Sequence, residues 1–224
     1  MKIIITGSKG LIGSVLTKML TEHGHTCYEL DLSLGHDLSN EEFVIDFFKN
    51  NKADALINLF ALNHHVDDQG TKQSLFDISL DSFDDYLKTN LTSLFSVCRE
   101  FARNNNNGSI VNFSSTYGVV SPHSDMYDGS EKHIGYSVSK AGVIMLSKHL
   151  ATHLAPKIRV NTIIPGGVLH KQPNEFVIKY SSRTPLKRMM NPEELFGIVK
   201  YLISEESNYT TGAEIKIDGG WTAW

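Results

Sequence analysis

Short runs of apolar residues alternate along the chain with stretches in which apolar positions recur every three or four residues. Residues 3–5 are all isoleucine, which is typical of a strand that helices cover on both faces. Residues 11–23 follow with helical spacing and end at Gly24. This alternation predicts an α/β fold with a parallel sheet and helices on both of its faces. The same pattern predicts further strands at residues 27–30, 55–58, 109–113, 158–164 and 214–217.

Helical periodicity occupies most of the remaining chain. It covers residues 79–103 and 135–154, and a further helix begins at Pro192. Ser39 is predicted to cap a helix whose first turn contains Glu41, because a hydroxyl and a carboxylate suit a helix N-terminus.

One long stretch, residues 168–190, lacks clear periodicity. A loop of that length inside a compact domain is usually functional, so residues 168–190 are predicted to be a substrate-binding loop. Neither a linker nor an internal repeat interrupts the pattern. Residues 1–224 are therefore predicted to form a single domain.

Composition narrows the classes of function. The 224 residues are 41% hydrophobic and 21% charged, which is typical of globular proteins. The net charge of −4 and the lack of a basic block argue against a nucleic-acid partner. No apolar stretch approaches the ~18 residues that a membrane span needs, and the N-terminus leaves no room for a signal peptide. We therefore expect no membrane partner and a cytoplasmic localisation.

Three glycines separate the first predicted strand from the first helix. Gly7, Gly10 and Gly13 permit a tight turn, close approach of a pyrophosphate and close packing of the helix on the strand. The helix N-terminus then offers free backbone N–H groups to the phosphates. This turn predicts a dinucleotide site with contacts from Gly7, Ser8, Lys9, Gly10, Leu11, Ile12 and Gly13.

Two carboxylates after the second strand bear on the choice of cofactor. Asp31 ends that strand, where a carboxylate can bind both ribose hydroxyls and repel a 2′-phosphate. Lys9 could instead pair with a 2′-phosphate. Because we weigh Asp31 more heavily, the sequence favours NAD, with NADP as the alternative. Asp37, with Leu38 beside it, either accepts a hydrogen bond from the adenine amino group or is a turn residue.

Tyr136 and Lys140 lie four residues apart at the start of a predicted helix, and therefore on one face of it. A phenol with its ordinary pKa of about 10 is a poor base at neutral pH, and a nearby ammonium lowers that pKa. The pair predicts an acid–base tyrosine with an activating cation. The alternative is a surface tyrosine beside an unrelated lysine.

Several short motifs follow one another in an order that resembles the short-chain dehydrogenase/reductase family. The resemblance covers essentially the whole chain. It implies a single Rossmann-type doubly wound parallel sheet of six to seven strands. It also implies an NAD(P)-dependent oxidoreductase that interconverts a secondary alcohol and a ketone, assembled as a homodimer or homotetramer. The motifs are the Thr6-Gly7 turn, Asn90 in TNLTSLF, NFSS at 112–115, YSVSK at 136–140, RVNTIIPGG at 159–167 and IDGGW at 217–221.

This resemblance assigns roles to individual residues. Tyr136 exchanges a proton with the substrate oxygen, Lys140 lowers the tyrosine pKa and binds the nicotinamide ribose, and Ser115 orients the substrate oxygen. Asn90 holds a water that extends a proton relay from Lys140. No metal is implied, so the residues of the His- and Asp-rich loop are expected to bind none. The remaining cofactor contacts are assigned to Asn58, Pro165, Gly166 and Val168, and the loop residues are His64, His65, Asp67 and Asp68.

Several features depart from the family pattern. The family's NNAG stretch is here Asn58-Leu59-Phe60-Ala61, and the glycine spacing resembles the extended branch of the family. Little room remains between Asp31 and Ser39, so the strand that usually follows there is very short or missing. His170 stands where the family often has threonine, which weakens any assignment of the group that holds the carboxamide. The gap from Ser115 to Tyr136 is longer than usual.

The extra residues in that gap, roughly 119–133, are polar and belong beside the expected substrate pocket. They suit a hydroxylated or charged substrate such as a sugar or nucleotide sugar; the alternative is a surface flap without substrate contact. The spacing and the DGGWTAW ending resemble members linked to flagellin or surface-glycan sugar modification. Tyr117 and Tyr127 either line this pocket or pack against other aromatic side chains. The segment contains Pro122, His123, Asp125, Tyr127, Asp128, Glu131 and His133.

Two other functions stay open at this point. A sugar epimerase or dehydratase would also begin with hydride removal but would restore its NAD within each cycle. A dinucleotide-binding sensor would bind the cofactor without turnover.

Overall fold

Six parallel strands form one sheet in the computed structural model, which describes residues 1–63, 74–127 and 132–224. The strands are β1 (Lys2–Thr6), β2 (Thr26–Leu30), β3 (Ala55–Asn58), β4 (Gly108–Phe113), β5 (Ile158–Pro165) and β6 (Glu214–Ile217). Their spatial order is β2-β1-β3-β4-β5-β6, and every neighbouring pair is parallel. The predicted doubly wound sheet of six to seven strands is confirmed, with six strands.

Seven α-helices connect these strands in the described residues. They are α1 (Leu11–Glu22), α2 (Glu41–Asn50), α3 (Leu80–Leu87), α4 (Ser93–Asn104), α5 (Ile134–Leu154), α6 (Asn174–Arg183) and α7 (Phe196–Ile203). A π-helical turn, Lys88–Thr92, joins α3 to α4. The long helical pattern predicted for residues 79–103 is therefore one helical run with a widened turn in it.

Alternate residues of each strand face opposite layers of helices. Ile4 of β1 packs in a core with side chains of α2, α4 and α5, whereas Ile3 and Ile5 pack with α1 and α7. All three isoleucines are fully buried. Burial on both faces explains why the strand sequence is continuously apolar.

The direction of winding reverses beside β1. This strand pairs with β2 on one side and with β3 on the other. The connection after β1 leads to β2, whereas the connection after β3 leads in the opposite direction, to β4. Ligands of open α/β sheets bind in the crevice at such a reversal. No described strand lies outside β2, as the short segment after Asp31 predicted; that segment contains a 3-10 turn, Leu32–Leu34.

The start of α2 differs from the prediction. Its N-cap is Asn40 rather than Ser39, because Asn40 Oδ1 accepts hydrogen bonds from the backbone N–H groups of Glu42 and Phe43. The Ser39 hydroxyl instead donates to Asp37 at 2.7 Å.

Residues 168–190 are not an irregular loop throughout. Helix α6 lies in the middle of the segment, and Val168 pairs with Met190 in a parallel bridge that closes its ends. Tyr180 of α6 is buried against Trp221 near the C-terminus. A contact so distant in sequence stabilises a short helix that local periodicity did not reveal. The substrate-binding role of this segment stays a prediction.

None of the described helices combines the length and the apolar character needed to cross a bilayer. In the same part of the chain, no three His, Cys, Asp or Glu side chains gather as metal ligands would. His64, His65, Asp67 and Asp68 lie outside the described residues.

Two helical glycines give a test of how closely α1 approaches the glycine turn. A Cβ on Gly13 would lie 2.0 Å from the Gly7 carbonyl oxygen, whereas a Cβ on Gly197 of α7 would meet nothing within 4 Å. Alanine is favoured over glycine inside a helix by about 1 kcal/mol. We expect Gly197→Ala to raise the free energy of unfolding by up to about 1 kcal/mol. We expect Gly13→Ala to lower the free energy of unfolding by about 1–3 kcal/mol, because the added Cβ would overlap the turn. Urea unfolding followed by circular dichroism measures both; equal effects would contradict the close packing of α1.

Candidate active site

A cavity of about 570 Å³ opens at the carboxyl edge of the sheet. Segments that follow β1, β3, β4 and β5 line it together with the start of α5. The predicted site residues among its lining are Leu11, Ile12, Ser115, Tyr136, Lys140, Pro165, Gly166 and Val168. The others lie outside the lining: Gly7, Ser8, Lys9, Gly10, Gly13, Asp31, Asp37, Leu38, Asn58 and Asn90.

The glycine turn allows a backbone approach that side chains would block. Gly7 has a φ of +67°, and a Cβ there would lie 2.6 Å from the backbone nitrogen of Phe60. Gly10 is the N-cap of α1; it supplies no side-chain cap, and the first turn contains no acidic residue. Among the described residues, a Cβ on Gly10 would meet only the Gly7 carbonyl oxygen, at 3.3 Å. The first N–H groups of α1 and its positive dipole end are thus available to an anion, and the turn fits a pyrophosphate.

Asp31 lies beside this turn, which contains Lys9, and the two charged side chains have different partners. Asp31 Oδ2 accepts a hydrogen bond from the Lys9 backbone N–H at 2.9 Å, and Oδ1 accepts from the N–H and the hydroxyl of Ser33. Partial burial acts to raise the pKa of Asp31, but these hydrogen bonds hold it below its ordinary value. Lys9 Nζ forms a salt bridge with Glu29 at 2.5 Å. The lysine charge is therefore balanced, whereas Asp31 presents an ionised carboxylate beside the turn.

Asp37 and Leu38 are held within the fold. Asp37 Oδ1 accepts hydrogen bonds from the N–H and the hydroxyl of Ser39, which is the geometry of a turn residue, and these bonds lower its pKa. The Leu38 side chain is buried in the core that contains α2. An adenine contact from either residue stays a prediction.

Ser115 and Tyr136 meet in the cavity. Ser115 caps the 3-10 turn Thr116–Gly118, and its Oγ accepts from the Tyr117 N–H at 3.1 Å. The glycine of this turn packs on α5, since a Cβ there would lie 2.7 Å from the Lys140 carbonyl carbon. Burial raises the pKa of Tyr136 to about 12, and a hydrogen bond with Ser115 acts against that rise.

Lys140 lies one turn after Tyr136 on α5, as predicted. Its Nζ donates to the Phe113 carbonyl at 2.9 Å and lies 5.8 Å from the centre of the Tyr136 ring. Burial lowers the Lys140 pKa to about 8. Desolvation outweighs the opposing hydrogen bond with Ser115 in the pKa of Tyr136, and the lowering of that pKa by Lys140 stays a prediction.

Asn90 is buried in the π-helical turn between α3 and α4. Its Oδ1 accepts from the Leu62 N–H at 2.6 Å, and its Nδ2 donates to the Leu62 carbonyl and to Ser139 Oγ. The side chain therefore holds the segment after β3 against α5. Such widened turns occur frequently at functional sites. The water-holding role of Asn90 stays a prediction.

Asn58 was predicted to contact the cofactor, but its side chain forms hydrogen bonds within the sheet. Its Oδ1 accepts from Thr6 Oγ1 at 3.0 Å, and its Nδ2 donates to Asn112 Oδ1 at 2.8 Å and contacts Cys98 Sγ. The polar atoms of the side chain thus join three strands and are directed into the sheet. The predicted cofactor contact gains no support from this side chain.

Tyr180 lines the cavity and is a site residue that sequence reasoning missed, whereas Trp221 packs on it from outside the lining. The Gly167 N–H donates to the Tyr180 hydroxyl at 2.5 Å, next to the predicted contacts Pro165 and Gly166. The Tyr180 ring stacks on Trp221 with a centroid distance of 4.2 Å. A Cβ on Gly167 would lie 2.7 Å from the Tyr180 ring. The adjacent glycines 166 and 167 in the sequence indicated a close approach to the backbone at this point, but the sequence did not identify Tyr180 as the approaching residue.

The polar segment 119–133 reaches the cavity through Met126, Tyr127 and Lys132. Asp125 pairs with Arg183 of α6, which joins the segment to the opposite wall. His123 packs on Trp221, and His133 caps α5 by accepting from the Gly135 N–H. Asp128 and Glu131 lie outside the described residues.

Comparison with known proteins supplies independent findings. Residues 13–222 match the family described as Enoyl-(Acyl carrier protein) reductase. The chain is 28% identical over 251 residues to the post-translational flagellin modification protein A of Campylobacter coli, covering 98% of this chain and 97% of that one. It is 31% identical over 229 residues to a 3-oxoacyl-(acyl-carrier-protein) reductase of Aquifex aeolicus, covering 97% and 86%. A short-chain dehydrogenase structure from Leptospira borgpetersenii with bound NAD⁺ has a TM-score of 0.85 at 30% identity, covering 99% and 92%.

The buried Lys140 gives a pH-dependent prediction. The unfolded chain keeps the Lys140 proton up to the ordinary pKa of 10.5, whereas the folded protein releases it above about 8. Because the unfolded state binds more protons between these values, Lys140 makes the free energy of unfolding rise with pH there. We expect Lys140→Met to reduce the slope between pH 8 and 10 by up to about 1.4 kcal/mol per pH unit, measured by urea unfolding.

The control is Lys18→Met on the exposed surface of α1, where the side chain is 75% exposed. We expect this variant to keep the wild-type slope. A slope that Lys140→Met leaves unchanged would contradict the burial of a titrating amine.

Proposed function

The chain belongs to the short-chain dehydrogenase/reductase family, and from this premise we propose that it catalyses the NAD-dependent interconversion of a secondary alcohol and a ketone. One observation carries the proposal: Ser115, Tyr136 and Lys140 line one cavity together with Leu11 and Ile12 from the first turn of α1. Acid–base groups and a pyrophosphate-binding helix end thus belong to the same site.

The residues of the chain supply alignment and proton transfer. Ser115 donates a hydrogen bond to the substrate oxygen, and Tyr136 Oη exchanges the proton with that oxygen. A bound nicotinamide supplies hydride transfer at the carbinol carbon. A phenol whose pKa is about 12 needs a cation to give up its proton near neutral pH, and the Lys140 amine, with a pKa of about 8, is mostly charged there. We expect Lys140 to act on the tyrosine and on the nicotinamide ribose.

NAD is the cofactor that the site favours. The ionised Asp31 repels a 2′-phosphate, and the Lys9 cation that could attract one is paired with Glu29. The Leptospira borgpetersenii relative is described with bound NAD⁺.

The substrate that we propose is polyhydroxylated, such as a sugar, a sugar alcohol or a nucleotide sugar. Hydrogen-bonding side chains line the cavity that contains Tyr136, which suits a substrate with several hydroxyl groups. These lining side chains are Asn63, Ser115, Tyr117, Tyr127, Lys132, Gln172 and Glu175.

Association into a homodimer or homotetramer also stays a proposal. Phe95 of α4 and Met145 of α5 are apolar and exposed, which suits contact between copies of these helices.

Tyr136→Phe tests the chemistry. Removal of the phenol hydroxyl leaves the cavity shape but no proton carrier, so we expect turnover to fall at least about 10³-fold while the Kd for NADH changes less than about threefold. Reduced-nicotinamide absorbance with a panel of polyols and nucleotide sugars measures turnover, and fluorescence titration measures binding.

Three outcomes separate the alternatives. Unchanged turnover in Tyr136→Phe would contradict the assigned proton carrier. Product formation by wild type without net NADH would indicate an epimerase or dehydratase. NAD binding with no turnover of any tested compound would favour a sensor.

Asp31→Ala tests the choice of cofactor. Loss of the carboxylate removes both the ribose contact and the repulsion of a 2′-phosphate, so we expect the NAD-to-NADP ratio of kcat/KM to fall about tenfold or more. Asp31→Asn keeps a hydrogen-bond acceptor for the turn without the charge, and should shift the ratio in the same direction. A wild-type preference for NADP would contradict the role of Asp31.

A further inference from the structure

Two tyrosines beside the proposed reaction centre share a hydrogen bond that leaves one donor unused. Tyr117 Oη and Tyr127 Oη lie 2.7 Å apart, and both residues line the cavity. Two phenols carry two protons, and the bond between them uses one. Within the described parts of the chain, neither hydroxyl has a further hydrogen-bond partner.

Both hydroxyls remain protonated at neutral pH. Burial raises the pKa of Tyr117 and of Tyr127, and the neighbouring phenol of Tyr117 raises the pKa of Tyr127 further. The pair therefore offers a neutral donor together with acceptor lone pairs. This combination recognises a hydroxyl group, which also both donates and accepts, better than it recognises a cation or an alkyl chain.

Two separate elements hold the pair in place. Tyr117 belongs to the turn that Ser115 caps, so its position is tied to the proposed substrate-orienting serine. Tyr127 comes from the polar segment 119–133, and its ring packs on Phe176 of α6 with a centroid distance of 5.9 Å. The long segment between Ser115 and Tyr136 thus places the Tyr127 phenol in the cavity beside Tyr117.

We propose that the Tyr117–Tyr127 pair binds a second hydroxyl of the substrate, on the carbon next to the one that reacts. The inference rests on the proposed function and gives its substrate a defining feature, a vicinal diol. An acyl chain or a simple alcohol would displace water from the partly buried donor without supplying an acceptor, and a site built around a hydroxyl rejects an analogue that lacks it. The apolar side chains of Met126 and Phe176 line the same cavity and suit the C–H face of a polyol.

A matched pair of probes tests this selectivity. 2,3-Butanediol and 2-butanol differ only in the second hydroxyl, so the ratio of their kcat/KM values with NAD isolates its recognition. We expect a ratio of about tenfold or more for wild type. For the double variant Tyr117→Phe/Tyr127→Phe we expect a fall to about twofold, the statistical factor from the two carbinols of the diol. The single variants then show which hydroxyl faces the substrate.

Tyr201→Phe is the matched control. Its hydroxyl also pairs with another hydroxyl, Thr210 Oγ1 at 2.9 Å, but neither residue lines the cavity. We expect this variant to keep the wild-type ratio, which excludes a general effect of losing a phenol hydroxyl.

Several results would overturn the inference while leaving the proposed function intact. They are a ratio that the double variant does not change, wild-type preference for 2-butanol, and turnover of a 3-hydroxyacyl thioester with every diol inert. Failure of any diol or polyol to react with protein that binds NADH would overturn it together with the proposed substrate class. Failure of the proposed function itself appears separately, as unchanged turnover in Tyr136→Phe.

Discussion

A chain of buried hydrogen bonds crosses the middle of the sheet and holds together the elements that form the site. Thr6 of β1 donates to Asn58 of β3, Asn58 donates to Asn112 of β4, and Asn112 donates to Ser147 of α5. All four side chains are buried, so each of these bonds would cost free energy if it were left unmade. The network ties α5 to the central strands, and the positions of Tyr136 and Lys140 relative to the strand ends depend on that attachment.

The burial of α5 determines the electrostatics of the reaction centre. Tyr136 and Lys140 lie in the same dry region, and desolvation raises the tyrosine pKa to about 12 while it lowers the lysine pKa to about 8. Both shifts favour the uncharged forms. Near neutral pH the protein by itself therefore holds a neutral phenol next to an amine that is still mostly charged.

Different kinds of contact hold the two sides of the cavity, which we call its floor and its roof. The floor consists of strand ends and α5, whereas the roof combines the segment 119–133, α6 and the C-terminal Trp221 through aromatic contacts and the Asp125–Arg183 pair. These roof contacts join segments that are far apart in the sequence. The groups that we propose for proton transfer and the surface that we propose for substrate recognition, including Tyr127, are therefore held by different contacts.

The sequence by itself determined the strands, the glycine turn and the Tyr136–Lys140 spacing, because strand and helix periodicity and the tight turn after Thr6 depend on neighbouring residues. Only the tertiary structure decided which partners the polar side chains at the site bind. Asn58 turned into the sheet because Thr6 and Asn112 flank it there, and Lys9 is balanced by Glu29 on the adjacent strand. The same holds for Tyr180, for the Tyr117–Tyr127 pair and for the raised pKa of Tyr136, since desolvation and long-range contacts arise from the packing of distant segments and leave no periodic signal in the chain.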